Sequence, residues 1–257
     1  VSVEGALALA PSWSGAEKVS VSFVIPVRDE ADNVAPLLER LGPVVARLEG
    51  AEAIFVDDGS RDATRRLLSE AAAGRPWLRV FSLGRPLGKS AALAAGFRAA
   101  RGDWIVTLDG DLQDDPREAP RLLAEIERGA ELVVGRRRTR RDSLRKRVAS
   151  AVFNWLVRRL TGVLLTDVNS GLRAMRAEVA RGFELPEGRH RFLPVLAALS
   201  GRRVVEIDVD HAPRRHGRSK YGLARYARGL LDLVAVAASA RRGTAPLGRP
   251  PGPAERP

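Results

Sequence analysis

The chain has 257 residues, no cysteine and a formal net charge of +12. That length suffices to bury the core of one domain, and the missing thiols exclude disulfides, thiolate nucleophiles and cysteine-ligated zinc. The positive charge points to anionic partners (nucleic acid, phosphorylated substrates or an acidic membrane face) without choosing among them.

Residues 1–18 read as an N-terminal extension that lacks the basic start of a signal peptide. From there, apolar runs at 19–27, 53–57, 78–83, 104–108 and 132–135 read as buried strands. Amphipathic stretches near 33–48, 62–73, 89–101 and 116–127 read as the helices between them. Such alternation predicts an α/β fold: a mostly parallel, Rossmann-like sheet with right-handed crossovers and helices on both faces. Ligands then bind at the carboxyl ends of the strands. Polar, chemically useful residues do follow three of the five strands.

Beyond residue 140 the pattern changes. Leu144, Val148, Val152, Leu156 and Leu160 recur every four residues, and Gly162 follows as a C-cap. Arg145, Lys146, Arg147, Arg158 and Arg159 fill other positions. Two interpretations fit, a surface helix packed on the sheet and a helix lying on a membrane. A strand at 204–209, a basic loop and a final helix from Tyr221 complete a domain spanning 19–240. Within it, 143–161 and 221–239 are candidate membrane-surface or acceptor helices. No apolar run reaches the roughly 18 residues of a spanning helix. Residues 241–257, rich in Pro, Gly and Arg, read as a disordered tail.

The strongest chemical signal is Asp109-Gly110-Asp111-Leu112-Gln113, at the end of the fourth strand. Two carboxylates and an amide oxygen at this spacing suit one hard cation and a ribose, and such a cation neutralises a diphosphate leaving group. The same stretch also serves as a polar turn, with Asp114 or Asp115 capping the next helix before Pro116. A second signal, Val56-Asp57-Asp58-Gly59-Ser60, follows the second strand, where an Asp accepts hydrogen bonds from a base or ribose. A third and weaker one, Pro26-Val27-Arg28-Asp29-Glu30, follows the first. Residues 136–147 carry eight cations against Asp142 alone, a field that concentrates phosphates and acidic lipid. None of the three histidines stands at metal spacing with another, so none is assigned as a ligand, and His190 and His211 read as structural or loop residues.

In combination and order, these motifs resemble the family 2 glycosyltransferases of GT-A fold. Asp167-Val168-Asn169-Ser170-Gly171-Leu172-Arg173 and Gly217-Arg218-Ser219-Lys220-Tyr221 are similar to the polyprenyl-phosphate branch, typified by dolichyl-phosphate mannose synthases. The resemblance implies inverting transfer of a hexose from a UDP- or GDP-linked donor to a polyprenyl phosphate. It implies that Pro26, Arg28, Glu30, Val56, Asp58, Asp109 and Gly110 contact the nucleoside. Asp111 and Gln113 would hold Mg²⁺ or Mn²⁺, with Asp111 and Arg137 catalytic. Arg137, Lys146, Ser150, Arg214 and Lys220 would bind phosphates of donor or acceptor. Two departures stand out: Ser90 replaces the second Gly of the family's Gly-Lys-Gly turn, and Arg28-Asp29 replaces an aromatic-Asn pair. Lys89 is open to two roles, a phosphate contact or a solvated lysine at a helix start.

A phosphate acceptor needs no general base, because its second ionisation near pH ~6 leaves it largely dianionic. No second acidic motif and no Gln-x-x-Arg-Trp sequence of the polysaccharide synthases occurs. Asp167 is left to pin Arg173 or its own loop. The expected setting is the cytoplasmic side of the plasma membrane, with contact made peripherally or through an integral membrane partner. Other possibilities stay open: transfer to a hydroxyl, which needs a base, and an idle partner subunit, which the acidic motifs disfavour. Nucleic-acid binding is disfavoured as a third, since two tyrosines give little aromatic–basic interleaving.

Overall fold

The computed structural model describes residues 20–137, 144–183, 186, 188–212, 232–234, 236 and 238; for 144–149 it describes the backbone alone. Among the described residues, seven strands form one sheet: β1 (Val21–Val27), β2 (Ala51–Asp57), β3 (Leu78–Ser82), β4 (Trp104–Thr107), β5 (Leu132–Arg137), β6 (Arg173–Arg176) and β7 (Val204–Val209). Their order is β3-β2-β1-β4-β6-β5-β7. All neighbours run parallel except β6, which is antiparallel to both β4 and β5.

The helices are α1 (Ala31–Arg47), α2 (Thr64–Ala73), α3 (Lys89–Ala99), α4 (Ala119–Glu127), α5 (Leu144–Thr161), α6 (Ala177–Arg181) and α7 (Leu193–Leu199). Alternation along each strand sends successive side chains to opposite faces. Phe23, Ile25, Phe55, Val106 and Val133 pack on one side with α1 and α4. Val24, Ile54, Val56, Ile105 and Val134 pack on the other with α3, Phe153 and Val157 of α5, and α7. Continuous apolar runs were therefore correctly read as strands buried on both faces.

Two expectations need correction. β6 was not foreseen: its four residues, Arg-Ala-Met-Arg, carry no recognisable strand signal, yet it pairs Thr107 and Val134 with Arg173. Its reversed direction sets Arg173, its first residue, beside the last residue of β4.

The second correction concerns α5, whose every-fourth-residue stripe is only in part its buried face, Leu156 and Leu160 packing half-buried on the core. Val152 is 51% exposed, whereas Phe153, Asn154 and Val157 are buried. Phe153 stacks at 5.8 Å on Phe192, which rotates the helix away from the predicted stripe. Trp155 (56% exposed) and, after the helix, Leu164 (84%) also face outward, near exposed Arg158 and Arg159. Gly162 ends α5 as expected, at φ 73° with its N–H donating to Arg158 O at 2.9 Å.

Of the final helix, residues 232–234, 236 and 238 are described; they are helical, with Leu233 and Val236 buried. Among the described residues no helix is long and apolar enough to cross a membrane.

Candidate active site

β1 has β2 on one side and β4 on the other, so the chain switches direction across the sheet at the β1/β4 crevice. A ligand is expected at the carboxyl ends of the strands beside such a crevice. The turns after β1, β2 and β4, together with the start of β6, all meet there.

The turns after β1 and β2 are stitched together. Asp29 and Glu30 donate their backbone N–H groups to Ser60 Oγ (2.9 Å) and Thr64 Oγ1 (2.8 Å), while Arg61 N–H donates to Asp29 Oδ1 at 2.7 Å. Asp29 adopts φ 48°, a left-handed backbone that aspartate tolerates better than most side chains and that this bracing holds in place. Arg28 lies near Asp29, and the Glu30 carboxylate accepts from Asn33 at 2.5 Å. Pro26 and Val56 sit opposite each other in the β1–β2 register, Val56 fully buried.

Asp58 is buried, and its carboxylate accepts from the backbone N–H groups of Leu87 (2.6 Å) and Gly88 (2.9 and 3.0 Å). It thereby shapes the turn that presents Lys89. Gly59 is required there, because a Cβ would lie 2.5 Å from the Arg85 carbonyl carbon.

Lys89 is half-buried and has a partner. Its ammonium pairs with Asp109 Oδ1 across the crevice. Burial opposes ionisation of Asp109, but Lys89 and, further off, Arg173 outweigh it and hold the carboxyl below the usual aspartate range. Gly110 lets the loop press on β1, since a Cβ there would lie 2.7 Å from Val27 Cγ1.

Asp111 is buried and accepts from Gln113 N–H at 3.2 Å. Between them Leu112 takes φ 64°, a strained conformation for a side-chain-bearing residue that costs roughly 1–2 kcal/mol. Its carbonyl accepts from Arg40 at 3.2 Å. Gln113 Nε2 lies 3.3 Å from His211 Nε2 and donates to Ala212 O at 3.4 Å. Asp115, rather than Asp114, caps the short 3-10 turn Pro116–Glu118 that leads into α4, accepting from Arg117 N–H. Asp114 is buried and accepts from Asp109 N–H at 3.1 Å.

A carboxylate, an amide oxygen and a nearby imidazole suit a divalent cation with hard ligands. Among the described residues no three His, Asp or Glu side chains form a closed cage. An ion here would complete its shell with oxygens of the substrate or of water.

The loop before β6 forms the opposite wall. Arg137 donates Nε and Nη2 to Asp167 Oδ2 and Oδ1, each at 2.7 Å. Asp167 therefore pins Arg137 and not Arg173, because β5 ends directly over its loop. Arg173 is buried and donates to His190 O (2.8 Å) and Val168 O (3.2 Å). Burial lowers its guanidinium to about 10, although Asp109 and Asp167 support the charge. His190 accepts or donates at Nδ1 to Ser90 Oγ (2.8 Å), and burial, with Lys89 and Arg173 nearby, keeps it well below the usual imidazole range.

Arg136 pairs with Asp208, so both cations of the basic segment whose side chains are described, Arg136 and Arg137, have carboxylate partners. Ser150 lies half-buried on α5; Lys146 lies on the same helix, in the part described by backbone alone. Arg214 and Lys220 lie outside the described residues, as does the Gly217–Tyr221 motif.

Lys89, Arg173, His190 and His211 join the site without having been singled out as site residues. Lys89 was open between two roles, and the Ser90 exchange had marked its turn. For His211 no local signal exists, since it meets Gln113 from 98 positions away.

A mostly parallel α/β sheet with one reversed strand and an acidic loop at its switch point is the GT-A arrangement. Glucosyl-3-phosphoglycerate synthase from Mycobacterium tuberculosis, solved with UDP, superposes with a TM-score of 0.67 at 22% identity, over 90% of this chain and 87% of that one. The same enzyme with Mn²⁺, UDP-glucose and glycerol 3-phosphate gives 0.61 at 21% identity, over 94% and 87%. At such identities the likeness speaks for the fold.

Residues 22–182 match the family model "Glycosyl transferase family 2", and the chain belongs to that family. An undecaprenyl-phosphate 4-deoxy-4-formamido-L-arabinose transferase from Pseudomonas fluorescens is 42% identical over 83% of this chain and 64% of its own length. A dodecaprenyl-phosphate galacturonate synthase from Rhizobium johnstonii is 39% identical over 86% of this chain and 67% of its own. The chain thus spans about two thirds of the length of these relatives.

Proposed function

We propose that the chain transfers a sugar from a nucleotide diphosphate donor to the phosphate of a polyprenyl lipid. The observation that carries this is 42% and 39% identity, across more than four fifths of the chain, to proteins named for polyprenyl-phosphate acceptors. Their names also revise the sugar: a formamido-arabinose and a galacturonate replace the plain hexose expected above.

On this proposal the nucleoside lies over Pro26, Val56 and the turns held by Asp58 and Asp109, with Lys89 beside the diphosphate. Mg²⁺ or Mn²⁺ on Asp111 and Gln113 would neutralise charge on the departing diphosphate. Arg137, its guanidinium fixed by Asp167, orients the acceptor phosphate for in-line attack at the anomeric carbon with inversion. Arg214, Lys220, Lys146 and Ser150 are assigned to the same phosphate region. Because the attacking oxygen is already anionic, positioning and charge stabilisation supply most of the acceleration.

The outward Trp155, Val152 and Leu164, beside Arg158 and Arg159, support peripheral membrane contact through α5. Indole at the headgroup level and cations against acidic lipid suit such a face. The proposed location is the cytoplasmic side of the membrane.

A donor screen tests the function: UDP- and GDP-linked sugars, including aminoarabinose and uronic-acid forms, with undecaprenyl phosphate and with or without Mn²⁺. Released nucleoside diphosphate and a lipid-linked product are expected together. Transfer to a free sugar hydroxyl, with none to the lipid phosphate, would replace the acceptor.

A further inference from the structure

We propose that Glu206, on the edge strand β7, is a positioning residue for Arg137 and acts through Asp167. Glu206 lies in register with Val134, three residues before Arg137 on the neighbouring strand. Its two carboxylate oxygens accept from Thr166 N–H, Thr166 Oγ1 and Asp167 N–H, each at 2.9 Å. From the other side Asn154 of α5 donates to Thr166 O at 2.5 Å. The backbone at 166–167 is therefore held by a strand and by a helix at once.

Asp167 follows directly in that clamped backbone. It is buried and takes Arg137 by Nε, Nη2 and the backbone N–H, at 2.7, 2.7 and 3.3 Å. A bidentate carboxylate fixes the plane and direction of a guanidinium, whereas an arginine without one samples many rotamers. The plane of Arg137 is thus no better defined than the backbone of Asp167, and Glu206 defines that backbone.

A carboxylate, with acceptors on both oxygens, serves every donor of the clamp. Oε1 receives both backbone N–H groups, while Oε2 receives the Thr166 N–H and hydroxyl. An amide in place of the carboxylate turns an NH₂ group toward at least one of these donors, whichever way it is flipped. With the amide oxygen at the Oε1 position both backbone N–H groups keep an acceptor and the Thr166 hydroxyl turns to accept from the NH₂ group, so glutamine preserves size and weakens the clamp less than alanine does.

The proposal rests on Arg137 facing the acceptor phosphate. The test measures two affinities in the whole chain: undecaprenyl phosphate in detergent micelles, and UDP or GDP with Mn²⁺. Wild type, Arg137→Ala, Glu206→Ala and Glu206→Gln are compared, with thermal melting to establish that each is folded.

Both Glu206 variants are expected to weaken lipid-phosphate binding, Glu206→Ala by about tenfold, because a misdirected charged group loses most of its advantage. Nucleotide affinity is expected to stay within about twofold, since the donor turns do not touch Glu206. The glutamine variant keeps the side-chain volume and decides the matter if the alanine variant does not fold.

Wild-type lipid affinity in the Glu206 variants overturns the positioning role. If Arg137→Ala is weakened in that same experiment, the acceptor assignment survives alone; if it is not, both fall. Equal weakening of lipid and nucleotide also overturns the proposal, because it marks a general loss of structure.

Discussion

Gly171 offers the sharpest single perturbation. A methyl group there would lie 2.7 Å from Asp114 Oδ2 and 2.8 Å from Asp109 Cγ and Oδ1. Ordinary contact begins at 3.4 Å, so something must yield by 0.7 Å (3.4 − 2.7). Neither carboxylate is at liberty to do so: Asp114 holds Asp109 N–H at 3.1 Å, and Asp109 holds Lys89. The Gly171 carbonyl is itself anchored, accepting from Thr107 Oγ1 at 2.8 Å.

Gly171→Ala is expected to cost about 2 kcal/mol, the loss of one charge-assisted hydrogen bond plus local overpacking. For a chain of this size that lowers the melting temperature by about 4–8 °C. Displacing Asp109 should also weaken binding of the preferred nucleoside diphosphate by about tenfold, measured by titration calorimetry with Mn²⁺. Gly74→Ala is the control, because a Cβ there meets nothing within 4 Å. Unchanged melting and unchanged nucleotide affinity in Gly171→Ala would refute the claim that this loop braces the acidic pair.

Other perturbations separate the remaining roles. Asp111→Asn should abolish most turnover while leaving the fold intact, a loss of about 2–4 kcal/mol of transition-state stabilisation; undiminished, metal-dependent transfer would sink the assignment. Asp58→Ala should raise the donor constant more than it lowers the maximal rate, since it frees the Leu87–Gly88 turn and removes uniform binding. A rate defect at unaltered donor affinity would count against it. Trp155→Ser together with Arg158→Gln and Arg159→Gln should release the protein from vesicles rich in acidic lipid, with each cation contributing about 1 kcal/mol; retention equal to wild type would remove α5 from the membrane face.

For pH, His190 is neutral when folded and ordinary when unfolded, so the unfolded chain binds the extra proton. Stability should therefore fall as pH drops below the usual 6.5 toward its lower folded value. The His190→Gln variant should show a shallower decline of melting temperature in that window; an identical decline would assign the effect to other groups.

Much of the molecule was legible before any tertiary contact. Runs such as Ile54-Phe55-Val56 and Ile105-Val106 are apolar on both faces, and that continuity is a local property of strands buried in a two-sided parallel sheet. Asp58, Asp109 and Asp111 stood out because each lies within three residues of the end of such a run, where a chain leaving a parallel sheet exposes its polar groups. Gly162 declared a helix end through a backbone preference that acts within one turn, and Asp114-Asp115 before Pro116 declared a cap without choosing between the two.

What the amino-acid order could not reveal depends on contacts between distant segments. Arg173-Ala174-Met175-Arg176 becomes a strand only because β4 and β5 leave room for one between them, and tertiary pairing overrides its weak local preference. The most buried side of α5, with Phe153, Asn154 and Val157, follows Phe153 meeting Phe192, and Leu156 and Leu160 of the every-fourth stripe lie half-buried at its margin. Lys89 acquired Asp109, Arg137 acquired Asp167, and Gln113 acquired His211 in the same way, across 20, 30 and 98 positions. Residue types and local periodicity determine which segments are strands, helices and acidic turns. Which charge faces which is decided by how the sheet closes, because electrostatic partnership depends on distance in space and leaves no periodic trace along the chain.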